Sequence, residues 1–267
     1  MVHTHVLTVA GALVTKRYSS WARGEHRREW EALRRVHRHA PQLAPRPVEQ
    51  HLDADPPWIT MSRVPGEPLP DRPTPVQLTA LAHAVGTLWT VPHDDLSASD
   101  GWIDDLACAR RLTDGPRPDA GILAQAFEAA VAWWDGPDPA LLRTRPAATV
   151  LGHRDPNLAN YLWDGERVRI VDFEDAAVSD PATELAIMLE HLALREVDVE
   201  ALTGHFDVDP LRLLAARRLW AMFWLRLLLP GGPSATRNPA GTAERQAERL
   251  LDLLGVDRID PRPGRRR

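Results

Sequence analysis

The sequence predicts an α+β chain in two parts: a small, strand-rich N-terminal part with one helix, and a larger, mainly helical part built around one hairpin. Three observations predict it. β-Rich runs crowd the chain before residue 62, and helical periods dominate after residue 74. Between them lies Val64-Pro-Gly-Glu-Pro-Leu-Pro-Asp-Arg-Pro, which can be neither a helix nor a central strand.

Each element has its own signal. His5–Val9 and Ala12–Tyr18 are β-rich runs broken at Ala10-Gly11, a hairpin pattern. In Gly24–Arg38, Trp30, Leu33 and Val36 recur at helical spacing among charges, which predicts an amphipathic helix. Val48–Leu52 and Trp58–Met61 read as short strands around the turn residues Asp53-Ala-Asp-Pro-Pro. Thr74-Pro75, a cap followed by a first-turn proline, opens a helix to about Thr90. A further helix is expected over Asp119–Trp134 and a buried strand over Thr149–Gly152. Tyr161–Trp163 and Arg167–Val171 flank Asp164-Gly165, a strong hairpin signal. Helices follow near 182–194, 198–205, 210–229 and 242–254, the last ended by Gly255. The connector divides 1–64 from 65–255, and 256–267 is an arginine-rich tail expected to be disordered.

Composition excludes several classes. The 267 residues carry a net charge of −5, with 44% hydrophobic and 26% charged, a globular balance. The lone Cys108 rules out an internal disulfide framework. The most apolar stretch, Leu211–Leu229, carries Arg212, Arg217, Arg218 and Arg226, which is costly in a bilayer. No signal peptide is legible, so a cytoplasmic protein without a membrane partner is expected. The tail is +3 and the remaining body −8, which disfavours nucleic acid as a partner.

The chemistry concentrates in Leu151–Asp175. Asp155 and Asn160 stand five apart on a proline-containing loop, and Asp172 closes the second strand of the hairpin. A two-residue turn would pair 163 with 166 and 160 with 169, setting Asn160 and Asp172 three residues, ~10 Å, apart at one end of the hairpin. An amide oxygen and a carboxylate converging there suit Mg2+ that carries substrate phosphates. Asp155 beside them is free to orient or deprotonate a hydroxyl. His153-Arg154-Asp155, Asn160 and Asp172-Phe173 also spell H-R-D-x-x-x-x-N and D-F, the signature of a kinase catalytic loop. Such a loop calls for a phosphate-binding lysine on a strand and a glutamate on the next helix. Lys16 is the only lysine beside 31 arginines, and it lies on the second predicted strand. An ammonium and a guanidinium do not interchange freely at a phosphate. Glu29 is its best partner, with Glu25 and Glu31 as alternatives on the same helix.

The chain resembles the aminoglycoside phosphotransferase family of small-molecule kinases, relatives of choline kinase. The resemblance runs from about Val6 to Leu254, most strongly in His153–Asn160 and in Val171-Asp-Phe-Glu-Asp with Ser179-Asp-Pro-Ala-Thr-Glu-Leu-Ala. It implies a protein-kinase-like bilobal fold with the nucleotide, ATP or GTP, between the lobes. It also implies adenine bonded to the backbone of Ser62 and Val64, Asp155 as base, and Asn160 and Asp172 as Mg2+ ligands. Two features depart from the pattern. The glycine-rich loop is missing or shortened, because only fifteen residues precede Lys16, and Glu184 stands where the family often has aspartate. The acceptor is expected to be a small hydroxylated molecule. Ten acids against three arginines in Pro92–Pro139 favour an amine-bearing one, or else form a solvated acidic surface. Trp102, Trp133 and Trp134 could stack on it or belong to the core. A metabolic kinase of choline or homoserine type, or a nucleotide-binding pseudokinase, are the alternative readings.

Overall fold

The computed structural model describes residues 5–93 and 101–256. The N-terminal β-rich runs form β1 (Val6–Ala10), β2 (Leu13–Arg17), β3 (Pro47–His51) and β4 (Trp58–Ser62), an antiparallel sheet in the order β1-β2-β4-β3. The first hairpin turns at Gly11-Ala12, one residue later than expected. β2 is central, with Thr15 opposite Thr60 and Lys16 opposite Ile59. The helix α1 (Glu25–His39) buries Trp30, Ala32, Leu33 and Val36 and keeps most of its arginines in water.

The connector contributes β5 (Glu67–Pro68), an edge strand as its proline requires. A Cβ on Gly66 (φ 119°) would stand 2.9 Å from the Trp163 backbone, so only glycine lets the connector lie against the hairpin. Next comes α2 (Pro75–Trp89). Thr74 Oγ1 accepts the Gln77 N–H and Gln77 Oε1 accepts the Thr74 N–H, a reciprocal cap. The rest of the larger lobe comprises α3 (Gly101–Thr113), α4 (Gly121–Trp133), α5 (Asp138–Arg143), β6 (Val150–Gly152), β7 (Tyr161–Trp163), β8 (Val168–Ile170), β9 (Ala177–Ser179), α6 (Pro181–Glu190), α7 (Val199–Thr203), α8 (Pro210–Leu228) and α9 (Thr242–Leu254). β5-β7-β8 and β6-β9 are separate small sheets.

One core runs from α1 and β4 through α2 to Leu151, Ile170 and Phe173, and a second lies among α3, α4, α8 and α9. The arginines that spoil Leu211–Leu229 as a bilayer helix make ion pairs: Arg212 with Asp180, Arg217 with Glu190 and Arg218 with Asp138. Among the described residues no helix is long and apolar enough to cross a membrane.

Three expectations are corrected. α3 and α5 were not anticipated, although Leu106, Ala109 and Leu112 are buried on one face of α3. The expected helix over 182–194 stops at Glu190. His191 turns extended and its Nδ1 accepts the Ala193 N–H, capping a separate 3-10 turn, Leu192–Leu194. The central hairpin has a different register, with Trp163 paired to Val168, Leu162 to Arg169 and Tyr161 to Ile170. Asp164 is the cause, because its Oδ1 accepts the N–H groups of Glu166 (3.0 Å) and Arg167 (2.9 Å) and so closes a four-residue loop. A shift of two preserves which faces are inward. It also brings Asn160 opposite Val171, whose N–H donates to the Asn160 carbonyl at 2.9 Å. Asn160 therefore lies next to Asp172, not three residues from it.

Candidate active site

Lys16, Glu29, Ser62, Val64, Asp155, Asn160 and Asp172 all line one cleft of about 770 Å3 between the N-terminal sheet and the central hairpin. At its inner end Lys16 is 4% exposed. Its Nζ donates to Glu29 Oε2 at 2.7 Å, Asp172 Oδ1 at 2.5 Å and Glu174 Oε2 at 2.8 Å. Glu29 Oε2 also accepts the Tyr18 hydroxyl at 2.6 Å. Burial alone would pull the Lys16 ammonium down, but the three carboxylates outweigh it and hold its pKa above the usual lysine value. Burial pushes Glu29 up, against the pull of Lys16. Three converging carboxylates could also hold a metal, but here the ammonium sits at bonding distance from each. The rival glutamates point elsewhere: Glu25 pairs with Arg23 and Glu31 with Arg34.

The loop before the hairpin supplies the other groups. Asn160 Nδ2 donates to Asp155 Oδ2 at 2.9 Å and to the Asp155 carbonyl at 3.2 Å. Both partners only accept, so the amide nitrogen faces them and Asn160 Oδ1 is turned away. Asp172 Oδ1 is engaged by Lys16, which leaves Oδ2. His153 Nε2 donates to the Val171 carbonyl at 2.9 Å, and its ring meets Phe173 edge-on at 4.9 Å, tying the two segments together. Arg154 (φ 65°) and Asp172 (φ 68°) are the positive-φ non-glycine residues among those described. Such strain costs on the order of 1–3 kcal/mol each and clusters where a side chain must be aimed.

The model of a phosphotransferase enzyme family matches residues 4–220. The chain belongs to that family.

Solved structures similar to this chain share its kinase-like fold. Choline kinase LicA from Streptococcus pneumoniae superimposes with a TM-score of 0.65 at 12% identity, covering 96% of this chain and 90% of that one. The GDP complex of aminoglycoside 2'-phosphotransferase-IIIa gives 0.61 at 19% identity, covering 96% and 89%. A thermostable mutant of aminoglycoside phosphotransferase APH(4)-Ia, in a ternary complex with AMP-PNP and hygromycin B, gives 0.63 at 16%, covering 93% of each. No curated protein sequence matches the chain.

Behind the Asp155 loop, Glu184 acts as a brace. Its Oε2 accepts the Arg154 N–H at 3.3 Å, while Arg154 pairs with Asp105. Burial pushes the Glu184 carboxyl up, and Arg154 opposes it. A Cβ on Gly152 would stand 2.3 Å from Glu184 Oε1, so this carboxylate fits because residue 152 has no side chain. Gly152→Ala is therefore expected to cost about 1–3 kcal/mol of stability and to disturb Asp155. Melting temperature and kcat should fall together. Wild-type values for both would show that Glu184 is not a brace.

Toward the connector, the Ser62 N–H donates to the Arg46 carbonyl at 2.8 Å, and the Arg46 N–H goes to Ser62 Oγ at 2.9 Å rather than to the Ser62 carbonyl. Sequence reasoning missed His5 and did not assign Glu174 a site role. Glu174 Oε2 accepts from both Lys16 and His5 Nε2, the latter at 2.6 Å. His5 Nδ1 accepts the Ser19 N–H at 3.0 Å, which leaves the proton on Nε2. Glu174 stands in a turn that follows the left-handed Asp172, closed by the Ala176 N–H on the Phe173 carbonyl at 3.0 Å, so no strand-like spacing in the sequence announced its place beside Lys16.

The acidic stretch Pro92–Pro139 is less available than its composition implies. Asp105, Glu128 and Asp138 pair with Arg154, Arg117 and Arg218. None of its described residues lines the cleft. Asp94, Asp95 and Asp100, and the side chains of Asp104 and Trp102, lie outside the described residues. Trp133 is core and Trp134 packs edge-on against it.

His191 was also missed. Burial, with Arg195 acting in the same direction and Asp155 opposing, holds its imidazole at about 4. Unfolded, it takes a proton near 6.5, so between those values the unfolded chain binds more protons and stability falls with falling pH. The loss across the window should be roughly 3 kcal/mol. Urea unfolding at pH 7 and 5 should show that His191→Gln removes this part of the acid sensitivity. An unchanged pH slope in the variant would contradict it.

Proposed function

We propose that the chain is an ATP- and Mg2+-dependent O-phosphotransferase acting on a hydroxyl of a small molecule. The observation that carries the reading is the convergence of Lys16, Asp155, Asn160 and Asp172 on one cleft. The nucleotide, ATP or GTP, sits between the lobes, its purine base (adenine in ATP) on the backbone of Ser62 and Val64, its phosphates on Lys16 held by Glu29. Asn160 Oδ1 and Asp172 Oδ2 are hard oxygen donors next to one another, a set that fits Mg2+. The metal, when bound, neutralises charge on the transferred phosphoryl group.

The Asp155 carboxylate orients the acceptor hydroxyl and takes its proton. The acceptor oxygen bonds to the γ-phosphorus as the bond to the β–γ bridging oxygen breaks, and that electron pair leaves with ADP. A cytoplasmic setting and a lobe boundary near residue 64 belong to the same proposal. A metabolic kinase of choline or homoserine type is the second reading, favoured by Glu174 after Phe173. An amine-bearing acceptor was expected from the acidic stretch, and the pairing of Asp105, Glu128 and Asp138 weakens that argument.

Asp172→Ala tests the metal assignment. The Mg2+ concentration for half-maximal turnover should rise at least about tenfold. Unchanged metal dependence would remove Asp172 from the ligand set.

A further inference from the structure

In the larger lobe one buried carboxylate gathers three arginines. Glu190, the last residue of α6, is fully buried. Arg217 Nε donates to its Oε1 at 2.8 Å, Arg249 Nη2 to Oε1 at 2.9 Å and Arg249 Nε to Oε2 at 2.6 Å. Arg195 Nη1 stands 3.6 Å from Oε2 and, although buried, has no hydrogen-bond partner. Arg195 is held in place by the Glu190 carbonyl at 3.1 Å and by Gln246. One carboxylate thus faces three guanidinium groups from three elements, each a fifth to a third exposed. Burial, with Arg249 and Arg217 alongside, pulls Arg195 down to about 10. Uncompensated charge in such a place is costly, and a guanidinium fork matches the oxygens of a carboxylate or phosphate.

A short run of neighbouring residues leads from the cluster toward the catalytic loop. His191 follows Glu190, and its N–H donates to the Ile187 carbonyl at 3.1 Å. Ile187 and Met188 line a small cavity with Pro156, the residue after Asp155. The charge of Asp155 is felt at His191. Trp224, seven residues after Arg217 and so on the same face of α8, meets His191 edge-on at 5.0 Å. None of these residues lines the nucleotide cleft.

We infer that Arg195, Arg217 and Arg249 form a subsite for an acidic group, carboxylate or phosphate, carried by the acceptor. The substrate is then a hydroxyl compound with an acidic group, not a polycation. The inference rests on the phosphotransfer reading above.

The test uses the full chain with ATP, Mg2+ and acceptors in matched pairs that differ by a carboxylate: L-homoserine against 3-aminopropan-1-ol and L-serine against ethanolamine, with kanamycin and choline as cations. Turnover should favour the acids by about tenfold or more in kcat/KM. Arg195→Gln and Arg217→Gln should each raise the KM of the acid about tenfold while the KM of ATP stays within about twofold, and Arg195→Lys should recover part of the loss. Turnover confined to cationic or neutral acceptors would overturn the inference.

A second measurement applies even if no compound in the panel is turned over. With the cleft saturated by ADP and Mg2+, malonate titrated at constant ionic strength should bind the wild-type chain and bind Arg195→Gln about tenfold more weakly. Equal binding by both would overturn the subsite. Malonate that binds without competing with a working acceptor would assign the arginines to a free anion and overturn the acceptor assignment. Failure of ADP to bind at all would sink the phosphotransfer reading while leaving the anion titration interpretable.

Discussion

Asp155→Asn is expected to lower kcat by ~10²–10⁴-fold while leaving the KM for ATP within about twofold. The carboxylate serves the attacking hydroxyl, not the nucleotide, so its loss falls on the chemical step. The substitution is structurally mild. The Asn157 N–H and Asn160 Nδ2 both donate to the Asp155 side chain, and the amide oxygen of asparagine still accepts one of these bonds. An unfolded loop therefore does not explain the loss. Steady-state kinetics check it, and near-normal turnover would remove Asp155 from the role of base.

Lys16→Met is expected to combine two large effects. Activity should fall at least about a hundredfold, equivalent to ~2.7 kcal/mol of lost stabilisation of the phosphates. Stability should fall as well, because Glu29, Asp172 and Glu174 lose the cation they share and Glu29 is 1% exposed. Breaking a buried pair in this way costs about 3–5 kcal/mol, roughly a 10 °C drop in Tm for a chain of this size.

Lys16→Arg should fail almost as badly in turnover, since a planar fork cannot place one nitrogen among three carboxylate oxygens and then against phosphate. Glu29→Gln should be milder, and Lys16→Met with Glu29→Gln less than additive, because both changes disable one pair. Wild-type turnover by Lys16→Arg at limiting ATP would end the nucleotide-binding half of the reading. The arrangement of Asp155, Asn160 and Asp172 would still stand.

The parts of the fold that were legible in the sequence are local. Thr74-Pro75, the 30/33/36 spacing and Gly255 each act through their own few residues. Lys16 stood out because arginine fills every other long cationic position. The hairpin register was not legible, because Asp164-Gly165 is compatible with a two-residue turn until the Asp164 carboxylate captures two N–H groups beyond it. Glu174 with His5, 169 residues apart, and Glu190 with arginines from three elements are products of topology. No short-range pattern in the sequence encodes either contact.

The central claim is that this cleft moves a phosphoryl group from a nucleotide to an alcohol. Phosphorus NMR on the wild-type chain with ATP, Mg2+ and a panel of hydroxyl compounds tests it most directly, after a thermal shift has established nucleotide binding. The account predicts equal amounts of ADP and a new phosphate monoester, with both signals abolished by Asp155→Asn. Nucleotide binding without any ester across a broad acceptor panel would contradict it and make the chain a pseudokinase.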